Sequence, residues 1–423
     1  MDRTIAPKFT EIDNIQFIDP KIEKLDNGLE LAIFKTGSQE VVKIQLIIEA
    51  GTIFQDKPIT ASTTNALLQE GSKNFSADEI AQQMDFYGSH LSLTVDKDFA
   101  KITLFSLQKH IDKGLDILSD IVQNPTFPQD KLDKYLARRL QAFKLDMEKV
   151  KDLSSRKFTQ ELFGPEHPYS KVANESDFTN ISRNDLIEFF SKQYQAQTSK
   201  MIVAGQFDDE VLVSIKKKFS SWGNSKSAKE FIKFKTPQIK ETNFLIEKKD
   251  AMQSGIRLGK ILFNRTHKDY TKMQVVNTLL GGYFGSRLMK NIREDKGYTY
   301  GIGSALVSQK ETGYFTIVSE VNSKYSKETI QEIKKEINIL QTELVSVDEL
   351  NKVKSYMLGR LLRSVDGPFS LSETFLNIWL YKLDWSYYRQ YINVIKNIEP
   401  NEIKDLCIKY LDEASLIKVI AGK

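Results

Sequence analysis

The chain has 423 residues, of which 40% are hydrophobic and 27% are charged. This composition is typical of a globular protein with a large core and excludes extensive disorder, and the length suggests two to four domains. Lys and Arg total 60 against 56 Asp and Glu, so the net charge of +4 gives no argument for nucleic acid as a partner. The one cysteine, Cys407, excludes an internal disulfide and a thiolate metal cluster.

The predicted elements of the first half begin with a strand over residues 42–49, where the apolar residues alternate. A helix is predicted over 60–70, just before Gly71. Ser76 and Glu79 have the spacing of a capping box, which predicts that a second helix begins there. The remaining elements predicted in this half are strands 91–95 and 100–107 and helices 110–122 and 129–148.

The second half repeats this order of elements. Its predicted elements are helices 271–280 and 286–293, strands 300–307 and 313–321, and helices 326–342 and 347–363. Three pairs of segments also resemble each other in sequence at offsets of 212 to 218 residues: TTNALL (63–68) with VVNTLL (275–280), KITLFS (101–106) with YFTIVS (314–319), and DKLDK (130–134) with DELNK (348–352). Similarity in the same order and at nearly constant offset indicates an internal duplication.

These patterns predict an α+β fold of two tandem homologous halves. Each half is expected to have an antiparallel-rich sheet with helices packed on one face. We assign residues 1–220 to the first half and residues 241–423 to the second. The polar, lysine-rich stretch 221–240 is interpreted as the linker between them.

The ends of the chain and its hydropathy predict where the protein resides. Residues 1–14 lack the basic segment and apolar stretch of a secretory signal, and no run approaches the roughly 18 apolar residues of a transmembrane helix. We therefore expect a cytoplasmic protein without a transmembrane segment. A leader that has been removed would be compatible with this expectation.

Several segments resemble the M16 peptidases, the group of insulysin, pitrilysin and the mitochondrial processing peptidase. LLGGYFGSRL (279–288) and IREDKGYTY (292–300) are similar to two adjoining motifs of that family, and Ala50-Gly51-Thr52 and LLQEGS (67–72) resemble the segments that frame its active site. The resemblance covers nearly the whole chain. It implies the fold of that family, with two tandem α+β halves related to the LuxS-like metallohydrolases.

The resemblance also shows that the zinc motif is degenerate. Active family members carry H-x-x-E-H on the first helix, with both imidazoles on zinc and the glutamate as general base. The matching positions here are Ser62, Asn65 and Ala66. A hydroxyl, an amide and a methyl group cannot supply the ligands or accept the proton. A downstream carboxylate ligand is expected near 141–143, where none occurs. We therefore predict that this chain binds no metal and holds no cofactor.

A second part of the family's machinery is retained. Active members place an Arg and a Tyr, seven residues apart, across the cavity from zinc, where they bind the substrate carbonyl and its developing oxyanion. Arg293 and Tyr300 match both residue types and the spacing. Arg offers forked donors and Tyr a phenolic donor, which suit an oxygen that gains negative charge. Without the resemblance, Arg293 would be interpreted as part of a solvated helix end and Tyr300 as a strand aromatic.

The predicted strand 91–95 matches the edge to which the family's substrates add as an extended peptide. Leu91, Ser92 and Leu93 are therefore candidate substrate-binding residues. Two of these positions, Ser92 and Leu93, differ from the Asn-Ala pair of the family. An ordinary sheet strand remains an equal alternative.

Three functions compete. The first is the metal-free, substrate-binding subunit of a heteromeric metallopeptidase, whose partner carries the intact motif and the zinc. The second is a non-enzymatic scaffold or peptide-binding protein, similar to the core subunits of the respiratory cytochrome bc complex. The third is a zinc peptidase with another ligand set, although His90, His110 and His167 match no zinc motif.

Overall fold

The computed structural model describes Ile12 and residues 15–223 and 241–423. The strands are β1 (Lys21–Lys24), β2 (Glu30–Lys35), β3 (Val41–Ile48), β4 (His90–Val95), β5 (Ala100–Leu107), β6 (Ser199–Gly205), β7 (Asn243–Glu247), β8 (Gln253–Leu262), β9 (Thr299–Ser308), β10 (Gly313–Asn322) and β11 (Ile417–Gly422).

The described residues also form fourteen α-helices. They are α1 (Thr60–Leu67), α2 (Ala77–Phe86), α3 (Ile111–Gln123), α4 (Gln129–Met147), α5 (Val150–Phe163), α6 (Asp177–Asn180), α7 (Arg183–Gln193), α8 (Asp209–Phe219), α9 (Tyr270–Asn277), α10 (Ser326–Thr342), α11 (Val347–Ser364), α12 (Pro368–Trp379), α13 (Ser386–Asn397) and α14 (Pro400–Tyr410). Thr278–Gly282 and Met289–Asp295 are π-helical. None of these described helices combines the length and the apolarity needed to cross a membrane.

The strands form two sheets with matching topologies. The first has the order β1-β2-β6-β3-β5-β4 and the second β7-β11-β8-β10-β9. Each sheet has one parallel pair, β2 with β6 and β7 with β11, while its other pairs are antiparallel. Apart from β1, every strand of the first sheet has a partner at the same place in the second. The expected α+β fold with two antiparallel-rich sheets is confirmed.

The predicted elements agree closely with the observed ones. Each predicted strand and helix matches an observed element, with ends that differ by at most three residues. Only helix 286–293 is π-helical over most of its length. The capping box is confirmed, since the Ser76 side chain accepts from the Glu79 amide and the Glu79 carboxylate accepts from the Ser76 amide. Of the predicted linker, residues 224–240 lie outside the described part of the chain. Trp222, near its beginning, is buried against Phe219 in the first core.

Each sheet is covered on both faces, and one helix on each sheet comes from the opposite half. Ile44, Leu46 and Ile48 of β3 face the core formed with helices of the first half. On the opposite face, Phe34 and Ile47 pack against Phe375 of α12. The expectation that helices pack on one face of each sheet therefore holds only for helices from the same half as that sheet.

The second sheet receives α5 from the first half in the same way. A Cβ atom on Gly259 would lie 2.8 Å from the Phe158 ring, and one on Gly255 would lie 2.5 Å from the Val150 carbonyl oxygen. Both Phe158 and Val150 belong to α5, so these two glycines of β8 allow this helix to approach the strand backbone. The reciprocal exchange of α5 and α12 joins the two halves through buried apolar surface.

A buried polar contact also joins the halves. Asp98, in the turn between β4 and β5, accepts a hydrogen bond from the Tyr169 hydroxyl at 2.6 Å and one from the Lys310 amide at 3.0 Å. Lys310 lies in the turn between β9 and β10 and forms an ion pair with Glu49. Burial raises the pKa of Asp98, and the two hydrogen bonds oppose that shift.

Candidate functional site

The degenerate motif lies on α1, which packs beside the edge strand β4. Asn65 is only 1% exposed and both ends of its amide are engaged. Its nitrogen donates to the Thr94 carbonyl at 3.1 Å, and its oxygen accepts from the Tyr194 hydroxyl at 3.0 Å. Burial raises the pKa of Tyr194, which keeps this hydroxyl a neutral donor. Asn65 therefore connects α1 to β4 and to the end of α7.

The other motif positions do not fit a metal. The Ser62 hydroxyl donates to the Ile59 carbonyl at 3.0 Å, and Ala66 has no donor atom in its side chain. In the downstream region of α4, Phe143 packs against the Phe178 ring, with 5.2 Å between the centroids. Within residues 15–223 and 241–423, no group of three His, Cys, Asp or Glu side chains could hold a metal ion. The residue types at this site therefore do not suit zinc.

Asp146 and Glu148, the acids nearest to 141–143, and His167 make other contacts. Asp146 pairs with Lys149 at 2.8 Å, and Glu148 pairs with Lys248. The Nδ1 atom of His167 accepts from the Tyr169 amide at 3.1 Å. Each of these side chains is thus used in a local contact of the fold.

Replacing Asn65 with alanine is expected to destabilise the protein by about 1–3 kcal/mol, because the Tyr194 hydroxyl would stay buried without its acceptor and the Thr94 carbonyl would lose its donor. Ser62→Ala is the matched control on the same helix and is expected to change the free energy of unfolding by less than about 0.5 kcal/mol. Urea denaturation of both variants measures the difference. Equal stabilities of the two variants would show that the Asn65 amide has no structural role.

Arg293 and Tyr300 are brought together in the second half. Arg293 lies in the π-helical segment Met289–Asp295, and Gly297, with φ +66°, turns the chain into β9. The Arg293 Nε atom donates to the Tyr300 carbonyl at 3.0 Å, and its guanidinium lies 4.8 Å from the centroid of the Phe284 ring. The Tyr300 side chain is 94% exposed. This arrangement holds the Arg293 side chain in place and presents the Tyr300 phenol to solvent.

Both residues line a cleft of about 1140 Å³, which we call the Arg293 cleft. Glu148, Lys149 and Val150 contribute to it from the first half, and Lys248 and Met252 from the second. The ion pair between Glu148 and Lys248 connects its two sides. The cleft therefore offers charges of both signs beside the phenol and the guanidinium, all groups that can bind the carbonyl and amide groups of a peptide.

The structure does not bring the first-half candidates into this cleft. Leu91, Ser92 and Leu93 lie on β4, at the edge of the first sheet, and Leu91 and Leu93 pack against the first core. Neither these residues nor the degenerate motif is among the described residues that line the Arg293 cleft. Sequence reasoning missed Lys248 and Met252, because a lysine and a methionine in a strand turn give no signal that distinguishes them from ordinary surface residues.

Comparison with known proteins shows the family of the chain. Residues 31–163 match the family described as Insulinase (Peptidase family M16), and residues 180–357 match Peptidase M16 inactive domain. The chain belongs to the M16 peptidase family. An M16 homologue from Rickettsia felis, named an uncharacterized zinc protease, is 26% identical over 361 residues and covers 83% of this chain and 85% of its own length.

Two further M16 relatives are named as inactive. A protein from Helicobacter pylori, named non-peptidase homolog YmxG, is 25% identical over 348 residues and covers 80% of this chain and 78% of its own. The crystal structure of a peptidase M16 inactive domain from Pseudomonas fluorescens superposes with a TM-score of 0.85 at 22% identity, over 96% of this chain and 98% of the other. The Pseudomonas fluorescens structure shows the shared fold, and Ser62, Asn65 and Ala66 at the degenerate motif show that this M16 chain lacks the zinc-ligand residue types there.

Proposed function

We propose that this chain is the substrate-binding subunit of a heteromeric M16 zinc metallopeptidase. A partner subunit with an intact H-x-x-E-H motif would supply the zinc and the general base. This chain would supply Arg293 and Tyr300 to a shared chamber, where they bind the carbonyl of a peptide or unfolded protein segment. The division into residues 1–220 and 241–423, the cytoplasmic location and peptide docking at Leu91–Leu93 are parts of the same proposal.

One observation carries the proposal: the residue types of the zinc motif are lost, whereas those of the Arg–Tyr pair are kept. At the degenerate motif, Asn65 is buried in a structural hydrogen-bond network. In the Arg293 cleft, the donor pair keeps its residue types and spacing, with the Tyr300 phenol almost fully exposed. A large aromatic side chain that is exposed in a charged cleft leaves apolar surface in contact with water and has no packing role. This favours a function in binding.

The experiment is reconstitution. The chain is purified alone, and an M16 protein of the same organism that carries the intact motif is purified alone; hydrolysis of an unstructured fluorogenic peptide is measured for each and for the mixture. We expect background activity for this chain, low activity for the partner and a large increase on mixing. A partner that reaches full activity alone, with no increase on mixing, would contradict the proposal.

A second candidate is a non-enzymatic peptide-binding or scaffold protein. The name of the Helicobacter pylori relative, a non-peptidase homolog, specifically favours it. In that case the chain binds peptides without turnover in any mixture, and its stable partner in a native mass spectrum carries no peptidase motif. The two candidates also differ in whether peptide hydrolysis depends on Arg293.

A further inference from the structure

The second half contains a cavity of about 400 Å³ at the place that corresponds to the degenerate motif of the first half. With the offset of the first repeat, the motif positions Ser62, Asn65 and Ala66 on α1 correspond to three residues of the second half. These are Gln274 and Asn277 at the end of α9 and Thr278 directly after it, and all three line the cavity, which we call the second-half cavity.

The other walls correspond as well. Leu91–Leu93 on the edge strand β4 correspond to Ser304–Leu306 on the edge strand β9, and these residues line the second-half cavity. The downstream region 141–143 on α4 corresponds to 359–361 on α11, where Arg360 and Leu361 line it. The duplication has thus placed a helix, an edge strand and a second helix around this cavity, with an open space between them of the size of small-ligand sites.

Several residues that line the cavity carry buried polar atoms without partners. Ten buried side-chain polar atoms within the described residues have no hydrogen-bond partner, and three of them, Arg265 Nε, Gln274 Oε1 and Asn277 Oδ1, belong to residues that line this cavity. Buried polar groups without partners are uncommon in folded proteins because they lose hydration without compensation. Three residues with such atoms around one cavity favour a ligand that offers both donor and acceptor groups when their side chains turn toward it.

The charges of the lining favour an anionic ligand. Arg265 and Arg360 line the cavity, and none of the described lining residues is Asp or Glu. Arg265 is held in place, since its Nη1 atom donates to the Asn377 carbonyl at 2.6 Å and its guanidinium lies 4.9 Å from the centroid of the Tyr381 ring. Burial raises the pKa of Tyr387 and of Tyr391, two further lining residues, so both hydroxyls stay neutral donors.

We propose that the second-half cavity binds the C-terminal carboxylate of a short peptide. Arg265 and Arg360 pair with the carboxylate, and the amide oxygens of Gln274 and Asn277 accept hydrogen bonds from the last peptide N–H groups. Leu306 and Met357 add apolar contact for the terminal side chain. This site is separate from the Arg293 cleft and does not depend on the proposed heteromeric peptidase.

The test is isothermal titration of the full chain with an N-acetylated tripeptide that ends in phenylalanine. The peptide with a free C-terminal carboxylate is expected to bind about tenfold or more tightly than the same peptide with a C-terminal amide, because the amide loses the charged pair. Inorganic phosphate is titrated alone and in competition. Absence of binding by the free acid overturns the proposal, and so does phosphate that binds as tightly and displaces the peptide, since the site would then recognise only an anion.

Two variants locate the binding. Arg360→Ala, at an exposed position, is expected to weaken the peptide about tenfold. Its matched control is Arg363→Ala, which lies on the same helix, is exposed and is not among the lining residues, and which should leave the affinity unchanged. Peptide affinity that is equal in Arg360→Ala and in the unaltered protein would overturn the proposal.

Asn277→Leu separates a binding role from a structural one. Because the Asn277 Oδ1 atom is buried without a partner, its replacement by leucine is expected to keep or raise the unfolding midpoint while it weakens the peptide several-fold. A lower midpoint with unchanged affinity would show that Asn277 serves the fold alone and would contradict the proposed contact.

Discussion

Replacing Arg293 with alanine is expected to reduce the peptidase activity of the reconstituted heteromer by about 10²–10³-fold, the usual loss when one preorganised oxyanion donor is removed. The guanidinium is held in place by the hydrogen bond from its Nε atom to the Tyr300 carbonyl and by the Phe284 ring. In the proposed shared chamber, its charge would lie where the substrate oxygen becomes negative. We expect the loss mainly in kcat, because the interaction strengthens in the transition state.

Two further variants make this result specific. Tyr300→Phe removes only the phenolic donor and is expected to lower kcat without changing the stability of a side chain that is 94% exposed. Arg363→Ala, an exposed arginine on α11, is the matched control and should retain full activity. A heteromer that keeps its activity with Arg293→Ala and Tyr300→Phe would exclude a role for this pair and would favour the scaffold candidate.

The second large effect concerns stability. Phe375→Ala is expected to lower the free energy of unfolding by about 3–5 kcal/mol, the usual cost of truncating a buried aromatic residue. Phe375 is 5% exposed, and its ring lies 5.5 Å from that of Phe34 on the first sheet and 5.3 Å from that of Trp385. The ring thus anchors α12, a helix of the second half, to the sheet of the first.

Urea denaturation measures this effect, with Phe86→Ala as the control. Phe86 is 82% exposed, so its truncation should change the free energy of unfolding by less than about 0.5 kcal/mol. Because α12 joins the halves, we expect Phe375→Ala to shift the whole unfolding transition. A variant in which the second half unfolds separately, while the first half keeps its original midpoint, would show that the helix exchange does not couple them.

Local patterns predicted the elements well, because their signals lie within a few residues of each other. The alternation in 42–49, the Ser76 and Glu79 capping box and the repeated order of helices and strands depend only on neighbours along the chain. Strands such as β6 and β8 were not predicted. β6 is a nearly continuous buried run, in which periodicity cannot distinguish a strand from a buried helix segment.

At the candidate site too, the sequence showed residue types and short spacings but not the contacts between distant segments. The resemblance to the M16 peptidases located Ser62, Asn65 and Ala66, whose residue types excluded zinc chemistry there, and it singled out Arg293 and Tyr300 by residue type and spacing. The sequence could not show that Asn65 binds Thr94 and Tyr194, since these partners lie 29 and 129 residues away along the chain. Nor could it show which charged residues gather at the Arg293 cleft.

The sequence by itself therefore determined the duplicated α+β fold, the absence of zinc-ligand residue types from the first-half motif and the retained Arg–Tyr pair, since these depend on residue type and short spacing. Only the tertiary structure decided that α5 and α12 each cover the sheet of the opposite half, because an apolar helix face does not specify which apolar sheet it meets. It also decided that three residues with unpaired polar atoms line one cavity in the second half. Such a cavity arises from packing between elements that are distant in the chain, and no local pattern records it.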